Sequence, residues 1–170
     1  MAGVVAISAI VALLINYAIV EPASETGGTG LRAVRAVRED NASSTSSQAP
    51  IDLPGSTVSI TVPDGQTYLF VARLSGETLC TGGDATEPFC YVRLVTGGGL
   101  ELKPSSQYAP DPADAAWDSS DPDDAESPLL TRSIALGPGI YQIKVQMWVN
   151  RAGMTIWLDD WHFTVEAYRK

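Results

Sequence analysis

The chain has 170 residues, with 11 basic and 20 acidic side chains, one His and two Cys. Its apolar share of 45% is that of a globular protein, which excludes a chain disordered throughout and a polytopic membrane protein. A net charge of −9 argues against nucleic acid as a partner, and one His with two Cys leaves little for a His/Cys metal enzyme.

Residues 3–20, GVVAISAIVALLINYAIV, carry no charge, and their polar side chains are Ser8 and Asn16. Eighteen residues of helix span ~27 Å, just enough for the hydrocarbon core of a bilayer. Pro22 and the glycines at 27, 28 and 30 stop a longer helix. No Lys or Arg precedes the run, and cleavage after Ala23 would place Glu21 at the minus-three position. An uncleaved single-pass anchor over residues 1–21 is therefore expected. The alternative is a signal peptide whose start lies upstream of Met1. In the bilayer, Ser8 and Asn16 would bond neighbouring helices.

Residues 22–54 read as an extended linker, rich in Ser, Thr, Gly, Ala and Pro. Within it, LRAVRAVRED (31–40) repeats Arg32, Arg35 and Arg38 every three positions, in step with Leu31, Val34 and Val37. That spacing allows a short helix at 31–40, lying on an anionic surface or a partner, against a frayed solvated segment. The three Arg favour a cytoplasmic location, but Glu21, Glu25, Glu39 and Asp40 partly offset them. Cys80 and Cys90 flank TGGDATEPF, and read as a disulfide-closed hairpin in an extracytoplasmic domain, against two reduced thiols. The Cys pair weighs more, so the C-terminal domain is expected outside the cytoplasm of a bacterial cell. Asn41-Ala42-Ser43 fits a glycosylation triplet, a pattern that often arises by chance.

From residue 55 to residue 170 the pattern is strands and turns. Strand signals fall at 56–62, 66–74, 89–95, 100–103, 129–136, 140–149 and 154–168. In 140–149, Tyr141, Ile143, Val145, Met147 and Val149 face one way, and Gln142, Lys144, Gln146 and Trp148 the other. The last run changes phase: Ile156 and Leu158 share one parity, while Trp161, Phe163 and Val165 share the other. A β-bulge at Asp159-Asp160 would keep all five on the core face. Seven or eight strands in ~115 residues predict an all-β fold, an antiparallel β-sandwich of jelly-roll or Ig-like type.

LLTRSIALGPGIYQIKVQ, the terminal LDDW-x-x-TVE strand and the upstream Cys90-Tyr91-Val92-Arg93 together resemble a group of bacterial extracytoplasmic β-sandwich domains. The resemblance covers about residues 56–168. It implies the sandwich and the disulfide, and it carries over no catalytic residue. The anchor and the long acidic loop lie outside it.

That loop, residues 111–126, holds seven acids and no base. Asp118, Asp121, Asp123, Asp124 and Glu126 are candidate oxygen ligands for Ca²⁺, with Asp111 and Asp114 as loop decoration. The spacing is not that of an EF-hand, and the bland alternative is a solvated loop. Asp159 and Asp160 could pass for paired catalytic carboxylates, but a structural bulge explains them better. His162 has no nucleophile motif to serve. Trp157 or Trp161, whichever faces inward, is expected in the core. Trp148 lies on the polar parity of its strand and suggests a protein contact, a sugar platform or a membrane-interface anchor, against a Trp covered by a loop of its own domain.

No catalytic function, cofactor or nucleic-acid partner is expected. The first functional expectation is an accessory subunit of a bacterial membrane complex, of respiratory or photosynthetic type, touching other integral subunits through Asn16, Arg32, Arg35, Arg38 and Trp148, and lipid through residues 3–20. The second is a cell-surface or secreted binding module for glycan or another ligand, with Trp148, Trp117 and Ca²⁺ at the acidic loop. A pilin-like subunit fits poorly, because the helix is short and lacks an acid near its start.

Overall fold

A computed structural model describes residues 30–82, 89–103, 116–119 and 127–170. The expected anchor over 1–21, with Asn16, lies outside the described residues, as do Asp121, Asp123, Asp124 and Glu126 of the acidic loop. Among the described residues no helix is long and apolar enough to cross a membrane.

The strands in chain order are β1 (Leu31–Glu39), β2 (Ser43–Thr45), β3 (Ile51–Asp52), β4 (Val58–Val62), β5 (Tyr68–Gly82), β6 (Phe89–Thr96), β7 (Ala116–Ser119), β8 (Leu129–Leu136), β9 (Gly139–Val149) and β10 (Met154–Arg169). They form two antiparallel sheets. The first runs β1-β10-β5-β8, with β2 also on β10; the second runs β3-β9-β6-β7, with β4 also on β9. With short β2 and β3 set aside, the sheet orders β1-β10-β5-β8 and β4-β9-β6-β7 are those of a jelly roll, the chain changing sheet at every step except the β6–β7 pair, which decides against the Ig-like alternative.

The alternation read from the sequence sets the core. Tyr68, Phe70, Ala72 and Leu74 of β5, with Phe163 and Val165 of β10 beside them in the first sheet, face Val92 and Leu94 of β6 and Ile143, Val145 and Met147 of β9 in the second, all in one apolar cluster. Burying such side chains contributes about 1.5–3 kcal/mol each, which is what holds the sheets face to face.

Two sequence expectations are corrected. Residues 31–39 are neither helix nor tether but the edge strand β1, paired with β10 from Leu31↔Tyr168 to Glu39↔Trp161. Its three-residue repeat imitates a helix, yet backbone pairing to β10 and the inward Ala33 and Val37 outweigh it. The expected linker from residue 40 to residue 54 is also built in. β2 adds to β10 and β3 to β9, and between them Ser47 accepts a hydrogen bond from the Val149 amide at 2.9 Å. Ser46 bonds Thr155 through their hydroxyls at 2.9 Å. Among the described residues the sandwich thus takes in β1, β2 and β3 as well as the strands from residue 58 on.

The second correction concerns the Cys pair. Cys80 and Cys90 are disulfide-bonded, with Cα atoms 5.8 Å apart. They do not close a hairpin, because β5 and β6 belong to different sheets. Both are fully buried, so the bond staples sheet to sheet inside the core.

The bulge lies where the parity change placed it. Asp159 pairs Glu77 and His162 pairs Ser75, so Asp160 and Trp161 together oppose Gly76. Asp160 takes a left-handed φ of 45°, and its amide donates to the Asp159 carboxylate at 2.9 Å. The extra residue turns Trp161 inward, where it is 1% exposed, and leaves Trp157 half-buried on the outer face.

Candidate functional site

The site candidate is the outer face of the second sheet, away from the core. On β6 the inward Cys90, Val92 and Leu94 leave Phe89, Tyr91 and Arg93 outside. On β9 the inward Val145, Met147 and Val149 leave Lys144, Gln146 and Trp148 outside. Register joins the two strands: Tyr91 sits directly across from Trp148, and Arg93 across from Gln146. Edge strand β3 adds Asp52 across from Gln146.

The aromatic half of this face is a stack. The Tyr91 and Trp148 rings lie 5.1 Å apart at 10° to one another. Phe89 meets Tyr91 edge-on at 6.4 Å. The Arg93 guanidinium carbon lies over the Trp148 ring, 5.4 Å from its centroid, a cation–π contact. All four side chains are half-buried. The rings are thus held by each other, while part of their surface stays open to solvent.

The polar half is a chain of hydrogen bonds. Arg93 Nε donates to Gln146 Oε1 at 2.9 Å, and Gln146 Nε2 donates to Asp52 Oδ1 at 2.8 Å. Lys144 Nζ reaches Asp52 Oδ2 at 2.6 Å, and Arg93 Nη1 reaches Glu101 Oε2 at 3.3 Å. Donation from Lys144, then from Gln146, holds the Asp52 carboxyl below its ordinary value. Among the described side chains of this face two acids balance two bases, inside an acidic chain.

The remaining sequence candidates are dispersed. Arg32, Arg35 and Arg38 lie on β1 in the other sheet, and Arg35 Nη1 donates to the Val34 carbonyl at 3.0 Å. Asp118 lies on β7, whose backbone pairs β6 at Cys90↔Asp118, and Trp117 is its neighbour. Among the described residues no group of three or more His, Cys, Asp or Glu side chains is arranged to hold a metal. Asp160 belongs to the bulge, Asp159 beside it accepts from the Asp160 amide, and His162 is exposed on the first sheet. Of the sequence candidates, Trp148 is the one set in a worked cluster. Its companions Tyr91, Arg93 and Gln146 could have been found by parity alone; Glu101 and Asp52 could not.

No protein-family model matches the sequence, and no curated protein does. Among solved structures, the CBM22-1 xylan-binding domain of Paenibacillus barcinonensis Xyn10C is similar over 81% of this chain and 85% of that one, at 15% identity and a TM-score of 0.33. A likeness that loose transfers neither ligand nor site. What the chain shows in its own right is an antiparallel jelly-roll β-sandwich with a Cys80–Cys90 bridge and an aromatic, charge-balanced outer face.

Proposed function

We propose that this domain is a non-catalytic, extracytoplasmic binding module for neutral glycans, and that the outer face of the second sheet is its platform. The observation that carries the reading is the Tyr91–Trp148 stack set beside the bonded row Arg93, Gln146 and Asp52. A pyranose ring has an apolar C–H face and a rim of hydroxyls. Aromatic rings match the first, and planar guanidinium, amide and carboxylate groups match the second. Because these side chains already hold one another, binding has little ordering entropy to overcome. A face whose described charges balance, inside a chain of −9, suits an uncharged ligand better than a polyanion or a polycation. The buried disulfide supports an oxidising compartment. In this reading residues 3–20 hold the module at a bacterial membrane.

The test is affinity electrophoresis of the full chain in mild detergent through gels containing neutral polysaccharides. The wild type should be retarded by at least one of them. Trp148→Ala or Tyr91→Ala should weaken retention more than tenfold while leaving the circular dichroism of the fold unchanged. If Trp148→Ala travels like the wild type in every gel, the platform reading fails. Co-purification with integral membrane proteins at fixed ratio would instead favour the accessory-subunit reading.

A further inference from the structure

We propose that Asp52 and Glu101 set the ligand class of this face: by occupying Lys144 and Arg93 they exclude chains that carry carboxylate or sulfate groups. The inference deepens the glycan reading and rests on it.

An Arg and a Lys beside an aromatic stack are the groups that would ordinarily take an acidic sugar. Here each is already paired with a carboxylate. Lys144 Nζ is bound to Asp52 Oδ2 at 2.6 Å, and Arg93 Nη1 to Glu101 Oε2 at 3.3 Å. The Arg93 Nε–H is already donated to Gln146. Exposure decides which charge an incoming ligand meets. In the first pair the Asp52 side chain is 52% exposed and Lys144 only 20%. The carboxylate is therefore the outer member, with the ammonium behind it. At this pair an anionic chain meets a negative group first and must displace it to reach the cation, while at the second pair, where Arg93 is 29% and Glu101 23% exposed, it meets a guanidinium already paired with a carboxylate. A hydroxyl meets a good acceptor in the same place. Selection thus works by repulsion of the wrong ligand as well as by attraction of the right one.

The test uses the full chain and two probes, polygalacturonate and heparin, by affinity electrophoresis at low salt. The wild type should not be retarded by either. The double variant Asp52→Asn/Glu101→Gln keeps the shape and one acceptor oxygen at each position but removes both negative charges that hold the cations. It should gain about tenfold or more in retention by polygalacturonate, and lose that gain as salt is raised. The variant Asp40→Asn/Asp64→Asn makes the same change in net charge at exposed positions elsewhere, and should gain little. Retention of the wild type equal to that of the double variant would overturn the proposal. So would a double variant no better retained than the charge-matched control. Neither outcome uses a neutral ligand, so both are distinct from failure of the glycan reading, which shows in Trp148→Ala.

Discussion

Gly76 is the residue on which the bulge depends sterically. It faces the two-residue bulge, and a Cβ built on it would lie 2.8 Å from Trp161 Cβ and 3.1 Å from Trp161 Cα. The second contact is with backbone, so no rotamer change relieves it. Gly76→Ala should therefore destabilise the fold by about 1–3 kcal/mol, read as a lower urea midpoint with unchanged slope. An unshifted midpoint would mean that the bulge relaxes freely. This corner was half legible in the sequence. The parity change between Leu158 and Trp161 demands an extra residue, and two adjacent acids in an apolar run mark where it goes. The need for glycine opposite it was not legible, because it arises from pairing with a strand some eighty residues away. Asp52 was hidden for a related reason. Its partners Lys144 and Gln146 lie 92 and 94 residues along the chain, and nothing local distinguishes it from linker.

At the scale of elements, the Cys80–Cys90 bond and strand β1 show what local pattern can and cannot carry. The Cys spacing implied a bond, and the bond is there. Its partners, however, run into opposite sheets, so it joins layers and not neighbouring strands. Closing a loop with a sequence separation of 10 should stabilise the fold by about 3 kcal/mol through the unfolded chain. The Cys80→Ser/Cys90→Ser variant should lose about that much in denaturant unfolding. Because both sulfurs are fully buried, the reductant should act on the folded wild type only slowly. Strand β1 was misread because edge strands have weak burial alternation: Ala33 is its one buried residue. With little apolar contrast to read, the three-residue recurrence of Arg stood out, although it has no structural consequence in a strand of period two.

Across the whole molecule, the fold class was legible because a jelly roll hides one face of every central strand, and that leaves a period of two in the sequence. The interleaving of strands between the sheets was not, since it depends on which edges meet. The ion pairs also act at this scale. Arg73 holds Glu166 at 2.7 Å, and Tyr168 donates to the same carboxylate. The Arg73 contact, then the Tyr168 contact, keeps the Glu166 carboxyl below its ordinary value, as Lys144 and Gln146 do for Asp52. A carboxylate whose pKa is lower folded than unfolded stabilises above its unfolded value and loses that contribution as pH falls through the folded one. Stability should thus decline below the ordinary values of 4.5 for Glu166 and 3.8 for Asp52. Both pairs are partly solvated, so each should contribute at most ~1 kcal/mol. Thermal midpoints from about pH 6 to about pH 2.5 should fall less steeply in Glu166→Gln/Asp52→Asn than in the wild type. Parallel curves would remove these pairs from the account.

The pairing of β1 with β10 also has a mechanical consequence. Just before β1 the Gly30 carbonyl accepts from the Arg169 amide, while Trp148 lies at the other end of the sandwich, beside the turn from β9 to β10. A pull on residue 30 resisted by a ligand on Trp148 runs along the β1–β10 ladder, from Leu31↔Tyr168 to Glu39↔Trp161. It loads those backbone hydrogen bonds in shear, all at once, where a pull across the strands would open them one after another. A pull along that line would meet the sheet in the direction in which it is hardest to part.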